Sequence, residues 1–252
     1  MRHLLALLFV LPGLASAQAL LEFRSDLAFS AAEVEALAAR QYRERLRALE
    51  RAGRLDRDAV LARRLQDILP RLRRAAAYER PDSARLDWEI HVCSGCDESA
   101  SAMAGGKLLV SADFVAALAL DDDELAYLLA HEIAHVLAEH TREFITLARS
   151  FVGNGLRRDY ADIAQQLAED LPANLRMQPA YVQQELEADY IGFVLGAHAG
   201  FAPEAMLRLL DKLRGDSESV LGTHPSDAER VRRARAMLGM ARILAERSRR
   251  ER

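Results

Sequence analysis

Asp121-Asp122-Asp123-Glu124-Leu125-Ala126-Tyr127-Leu128-Leu129-Ala130-His131-Glu132-Ile133-Ala134-His135 is the stretch on which the reading of this chain turns. Asp121 offers an N-cap oxygen and Glu124, three residues on, the reciprocal acceptor, so the run opens as a capping box with an acidic first turn suited to the helix dipole. The helix predicted from there runs through His140. At about 3.6 residues per turn, His135 lies only about 40° round the axis from His131, so both imidazoles can face one point while Glu132 flanks them. On the same helix His140 points about 180° from His131 and is not expected to join them.

An H-E-x-x-H run on a helix is the arrangement in which two imidazoles hold a zinc ion and the glutamate serves as general base. A catalytic zinc takes three protein ligands and keeps a position for water, so the chain must supply another. Glu185-Leu186-Glu187-Ala188-Asp189 offers it: Glu185 and Asp189 stand at i and i+4 on one predicted helix face, Glu185 able to ligate and Asp189 to orient a histidine. Glu187, on the far side, is expected to face solvent. The alternative H-E-x-x-H-x-x-G-x-x-H arrangement fails, because Ala138 and Thr141 stand where Gly and His are needed.

Residues 1–17 read as an export signal: Arg2, an apolar run from Leu4 to Leu14, then Ala15-Ser16-Ala17. No run long enough to span a bilayer is predicted in the mature chain, which is expected to be exported, periplasmic and soluble. Residues 18–85 are predicted to form a helical region packed on the main domain. Its first helix runs from Ser30 to about Leu49, and its second carries Leu61, Leu65, Ile68, Leu69 and Leu72, with Gly53 between them and Pro70 expected to kink or end the second.

Leu86, Trp88, Ile90 and Val92 alternate with polar residues as a strand with one buried face, His91 falling on the polar face. Lys107–Ser111 is a second predicted strand, able with the residues before it to hold an extended peptide by strand addition. Cys93 and Cys96 are read as a local disulfide, with a redox pair or part of a second metal site as alternatives. Short helices and mobile connections over the cleft are expected from 141 to about 180, because Gly153-Asn154-Gly155, Pro172 and Pro179 break the pattern. Helix then resumes from Tyr181 to about Ala197. Two further helices, Pro203 to Leu213 and Ser226 to about Ala245, bracket Thr223-His224-Pro225. The peptidase-like region thus spans 86–245, and 246–252 is a charged tail.

The balance of 34 basic against 38 acidic side chains, interspersed rather than blocked, argues against a nucleic-acid partner. With aromatics at only 6% and Ala, Leu, Arg and Glu abundant, the fold class is α+β and mostly helical, with a small sheet beside the H-E-x-x-H helix.

Taken together, the H-E-x-x-H helix, the E-x-x-A-D run followed by Ile191-Gly192, the Gly200-Phe201-x-Pro203 turn and Thr223-His224-Pro225 with Arg230 downstream resemble the HtpX-like and CAAX-prenyl-protease-like zinc peptidases. The likeness is strongest to their exported, soluble quality-control members of the BepA and LoiP type, and covers roughly Leu86 to Leu238. It implies a zincin-like fold and one zinc ion per chain, held by His131, His135 and Glu185, with Asp189 supporting. It also implies Glu132 as catalytic base, and His224 beside the zinc, stabilising the intermediate or closing the water position at rest. On the residues alone His224 reads equally as a loop cap. The implied activity is hydrolysis of peptide bonds in unfolded or misfolded exported proteins by metal-activated water. The rival is a zinc-containing chaperone or adaptor whose site is closed and weakly proteolytic.

Overall fold

The computed structural model describes residues 27, 29–96, 98–151, 170–213 and 227–250. Helix α1 (Ala31–Arg51) starts at a capping box in which Ser30 and Glu33 exchange side-chain and backbone hydrogen bonds, and it buries Val34, Ala38 and Tyr42. Helix α2 (Ala59–Glu79) is capped by Asp58, which accepts from the Val60 and Leu61 N–H groups. Pro70 does not end α2. It sits on the exposed face, the carbonyl it leaves without a helical partner belongs to exposed Gln66, and Leu72, Ala75 and Ala76 continue the buried stripe beyond it.

Three strands follow: β1 (Glu89–Cys93), β2 (Ala100–Met103) and β3 (Lys107–Ser111), in the spatial order β1-β3-β2. β1 lies parallel to β3 and β2 antiparallel to it. β3 is therefore central and buried throughout, so the predicted strand addition to Lys107–Ser111 is blocked on both sides. The strand on the other edge is β2, absent from the sequence-based expectation because Ala100-Ser101-Ala102 carries no β-branched or aromatic residue and is made a strand by pairing with β3. Val92, Leu108 and Val110 face the main core, while Cys93 and Leu109 face Tyr42 of α1, whose hydroxyl donates to the Leu108 carbonyl at 2.5 Å. A Cys93–Cys96 disulfide closes the loop after β1.

After a short helix α3 (Ala112–Ala117), α4 (Asp122–Leu137) opens at the capping box of Asp121 and Glu124. Its stretch from Leu125 to Ala130 is apolar all round and buried on every side. Around it stand α5 (His140–Phe151), α6 (Leu171–His198), α7 (Glu204–Leu213) and α8 (Asp227–Arg250). Residues of α2, the sheet, α4, α6, α7 and α8 share one core. Helix α6 begins ten residues earlier than its periodicity suggests: Pro172 is its second residue, where no donor is needed, and Pro179 is exposed. Helix α8 continues to Arg250 through most of the stretch expected as a tail.

Helix α4 stops at Leu137 rather than His140. Ala138 closes it and Glu139 takes φ +55°, with Arg80 donating to the Leu137 carbonyl. Arg80 and Arg142 hold the Glu139 carboxylate at 2.6 and 2.7 Å. Among the described residues no helix is long and apolar enough to cross a membrane.

Candidate metal centre

The site begins with an absence of side chains. A Cβ on Gly192 would stand 2.8 Å from the His131 backbone nitrogen and 2.9 Å from its Cα, and one on Gly196 would stand 2.4 Å from the Tyr127 ring. Helix α6 can therefore lie against α4 backbone to backbone at the level of His131, and this contact delivers Glu185, two turns earlier on α6, opposite the two histidines. His131 Nε2 and His135 Nε2 are 3.1 Å apart. The Glu185 oxygens lie 3.4 Å from the first and 3.5 Å from the second. One ligand atom from each of the three falls within 4.8 Å of the others.

Each histidine has a second contact through its other nitrogen. Asp189 Oδ1 is 3.1 Å from His131 Nδ1, and Arg230 of α8 grips the same carboxylate with two N–H groups at 2.7 and 2.8 Å. His140 Nδ1 is 2.9 Å from His135 Nδ1, and Glu187 Oε2 is 3.5 Å from His140 Nε2. His140 thus faces the centre rather than away from it as predicted, because the turn at Ala138 and Glu139 ends the helix before His140 is reached. Glu187 is likewise not solvent-facing; its side chain is only 13% exposed and turned toward His140.

Glu132 borders the same cleft, which Ala100 and Ala102 of β2 also line. Burial pushes the Glu132 pKa up to about 7, the His131 charge opposing it. At His131 burial works downward, but the hydrogen bonds and charges of Asp189 and Glu185 outweigh it and raise the value to about 10. Burial, then the charge of His131, takes His135 down to about 3. Asp189 ends at about 2, since Arg230 and His131 outweigh the effect of burial.

Two imidazole nitrogens and a carboxylate oxygen directed at one point are the donor set of a zinc site with a position left for water. Among the described residues no other group of three such side chains converges in this way. His91 is excluded from a ligand role by its own contacts, Asp56 at 2.6 Å on Nδ1 and Glu89 at 3.1 Å on Nε2. His224 lies outside the described residues.

The centre lies in a cleft of about 730 Å³ walled by β2 on one side and by the stacked rings of Phe144 and Tyr181 on the other. Because the Ser111 N–H donates to the Ser99 carbonyl, the register turns the backbone groups of Ser99 and Ser101 toward β3 and those of Ala100 and Ala102 outward into the cleft.

The sequence pattern of Peptidase family M48 matches residues 59–238, from the start of α2 to the middle of α8. Mitochondrial metalloendopeptidase OMA1 of Saccharomyces cerevisiae is 31% identical over 190 residues, covering 69% of this chain and 55% of that protein. Its namesake in Schizosaccharomyces pombe is 32% identical over 170 residues, covering 65% and 50%, and that of Arabidopsis thaliana 30% identical over 165 residues, covering 64% and 33%. The chain spans about half the length of the first two. These relatives carry a mitochondrial name rather than that of an exported quality-control peptidase, so the likeness holds at the level of the family. On the match from α2 to α8, with the H-E-x-x-H and E-x-x-A-D helices inside it, the chain belongs to peptidase family M48.

Proposed function

We propose that this chain is a zinc-dependent endopeptidase that cleaves extended segments of other proteins, its ion held by His131, His135 and Glu185. The observation that carries this reading is the convergence of those three ligand atoms within 4.8 Å on the floor of an open cleft. When bound, the zinc ion supplies Lewis acidity and lowers the pKa of a water molecule. Glu132, which lines the cleft beside the three ligands, takes the proton from that water and delivers it to the leaving amine. A substrate chain pairs with the outward backbone groups of Ala100 and Ala102 as a fourth strand, which selects unfolded segments over folded ones. His224 stabilises the developing oxyanion, one of the two roles the family resemblance implies for it, the other being to close the water position at rest. The Cys93–Cys96 disulfide and the apolar stretch from Leu4 to Leu14 support placing this activity in an oxidising, exported compartment, where its substrates are unfolded or misfolded proteins.

Glu132→Gln tests the assignment. The variant should retain one zinc per chain by elemental analysis and lose casein cleavage by about 10²- to 10⁴-fold. Undiminished cleavage would remove Glu132 from its role, and wild-type protein that takes up no zinc would end the reading altogether.

A further inference from the structure

We infer that His140 is a positioning residue for the metal: it fixes the tautomer and ring orientation of His135, and Glu187 in turn fixes His140. The inference rests on the zinc reading above and deepens it. His135 directs Nε2 at His131 and Glu185. A nitrogen that ligates a cation carries no hydrogen, so the single proton of neutral His135 sits on Nδ1. That atom is 2.9 Å from Nδ1 of His140, and two ring nitrogens at hydrogen-bond distance need one proton between them. His140 Nδ1 is therefore the acceptor, which leaves the His140 proton on Nε2, the nitrogen facing the Glu187 carboxylate at 3.5 Å, the long end of the hydrogen-bond range. Only one proton arrangement satisfies the whole row of ion, His135, His140 and Glu187.

The row is enclosed. His140 is 3% exposed, so water has little access to its place, and the His135 and His140 rings meet edge to face at 73° rather than stacking. The backbone also serves it. Glu139 takes a left-handed φ that a glutamate rarely adopts, held there by Arg80 and Arg142, and that residue is what carries His140 back toward α4. A metal-ligating histidine commonly donates its second N–H to a carboxylate or carbonyl, as His131 does to Asp189. Here a second imidazole stands between His135 and its carboxylate.

The test uses zinc itself. In wild-type protein labelled with ¹⁵N-histidine and loaded with zinc, long-range proton–nitrogen correlation should show His140 neutral with its proton on Nε2 and His135 protonated on Nδ1; a His140 proton on Nδ1 overturns the inference. By chelator competition, His140→Phe should weaken zinc binding about 10- to 100-fold, the usual effect of losing such a support. His140→Asn, whose side-chain oxygen can accept where Nδ1 does, should recover most of that loss, and Glu187→Gln should weaken binding only severalfold. Equal losses in the Phe and Asn variants would mean that His140 only fills space. A Phe variant that binds as tightly as a zinc-binding wild type defeats this inference alone, whereas a wild type that binds no zinc defeats it together with the reading beneath it.

Discussion

Two places in this molecule gather histidine and carboxylates, and they do opposite things with them. Around His91 the groups diverge: Asp56 takes Nδ1, Glu89 takes Nε2, and Lys107 reaches Glu89 at 3.1 Å and Asp87 at 2.7 Å. Every charge there is turned toward an opposite one, and the set needs nothing from outside. Between α4 and α6 the groups converge, with His131, His135 and Glu185 presenting ligand atoms to one point while Asp189 and His140 hold the rings from behind. Composition barely distinguishes the two clusters. Direction does, and direction is what makes one of them a place for a cation.

The largest expected effect breaks the convergent cluster. Glu185→Ala removes a proposed ligand rather than a support, so zinc affinity should fall by more than the roughly 100-fold that loss of a supporting group costs, and casein cleavage should become undetectable. Glu89→Ala, in the divergent cluster, should leave one zinc per chain by elemental analysis; a fall in that number would erase the contrast.

Gly192→Ala acts on the same centre without touching a ligand. Its Cβ meets the His131 backbone at 2.8 Å, and overpacking of this kind costs about 1–3 kcal/mol, seen as a lower Tm together with weaker zinc binding. Gly239→Ala is the control. Nothing lies within 4 Å of its Cβ, which falls on the exposed face of α8, so it should stabilise by up to about 1 kcal/mol. Equal Tm shifts of the same sign in the two variants would show that helix propensity, not close approach, governs both.

The smallest effect belongs to His91. Burial lowers its pKa, but the hydrogen bonds and charges of Asp56 and Glu89 more than compensate, so the net shift is upward. A group whose pKa rises on folding contributes fully below its unfolded value, near pH 6.5, and loses that contribution as pH climbs through the folded value. His91→Gln should therefore cost at most about 1 kcal/mol in urea melts at pH 6, since its partners are substantially exposed, and the gap from wild type should narrow as pH rises above 7. Casein cleavage should be unchanged. A gap that widens with pH would reverse the sign argued here.

Local chemistry made much of this legible. The α4 capping box, the presence of a strand at β1 and the shared face of Glu185 and Asp189 can be read from neighbours in sequence and reappear in the fold, although β1 is covered on both faces rather than one because Cys93 packs under Tyr42 of α1. What sequence could not supply comes from residues distant along the chain. The end of α4 carries neither Gly nor Pro; Arg80, nearly sixty residues upstream, and Arg142 hold Glu139 in the turn, so His140 was placed on the wrong side. β2 is a strand because β3 lies beside it, and Pro70 and Pro179 are tolerated because each faces water. Arg230 stands in the sequence only as a residue after Thr223-His224-Pro225; its grip on Asp189 exists only once α8 has packed.

The bare backbone contact at Gly192 carries a consequence for which ion is accepted. Zinc bonds to nitrogen and oxygen run to about 2.0–2.2 Å, whereas calcium prefers oxygen ligands at about 2.3–2.6 Å. A few tenths of an ångström separate them. Because the proposed ligands come from two helices, a wider gap between them would move Glu185 away from His131 and His135, and that gap is set by a hydrogen atom where every other amino acid has carbon. Discrimination among cations is in this sense written into helix spacing, at a residue that is not itself one of the ligands.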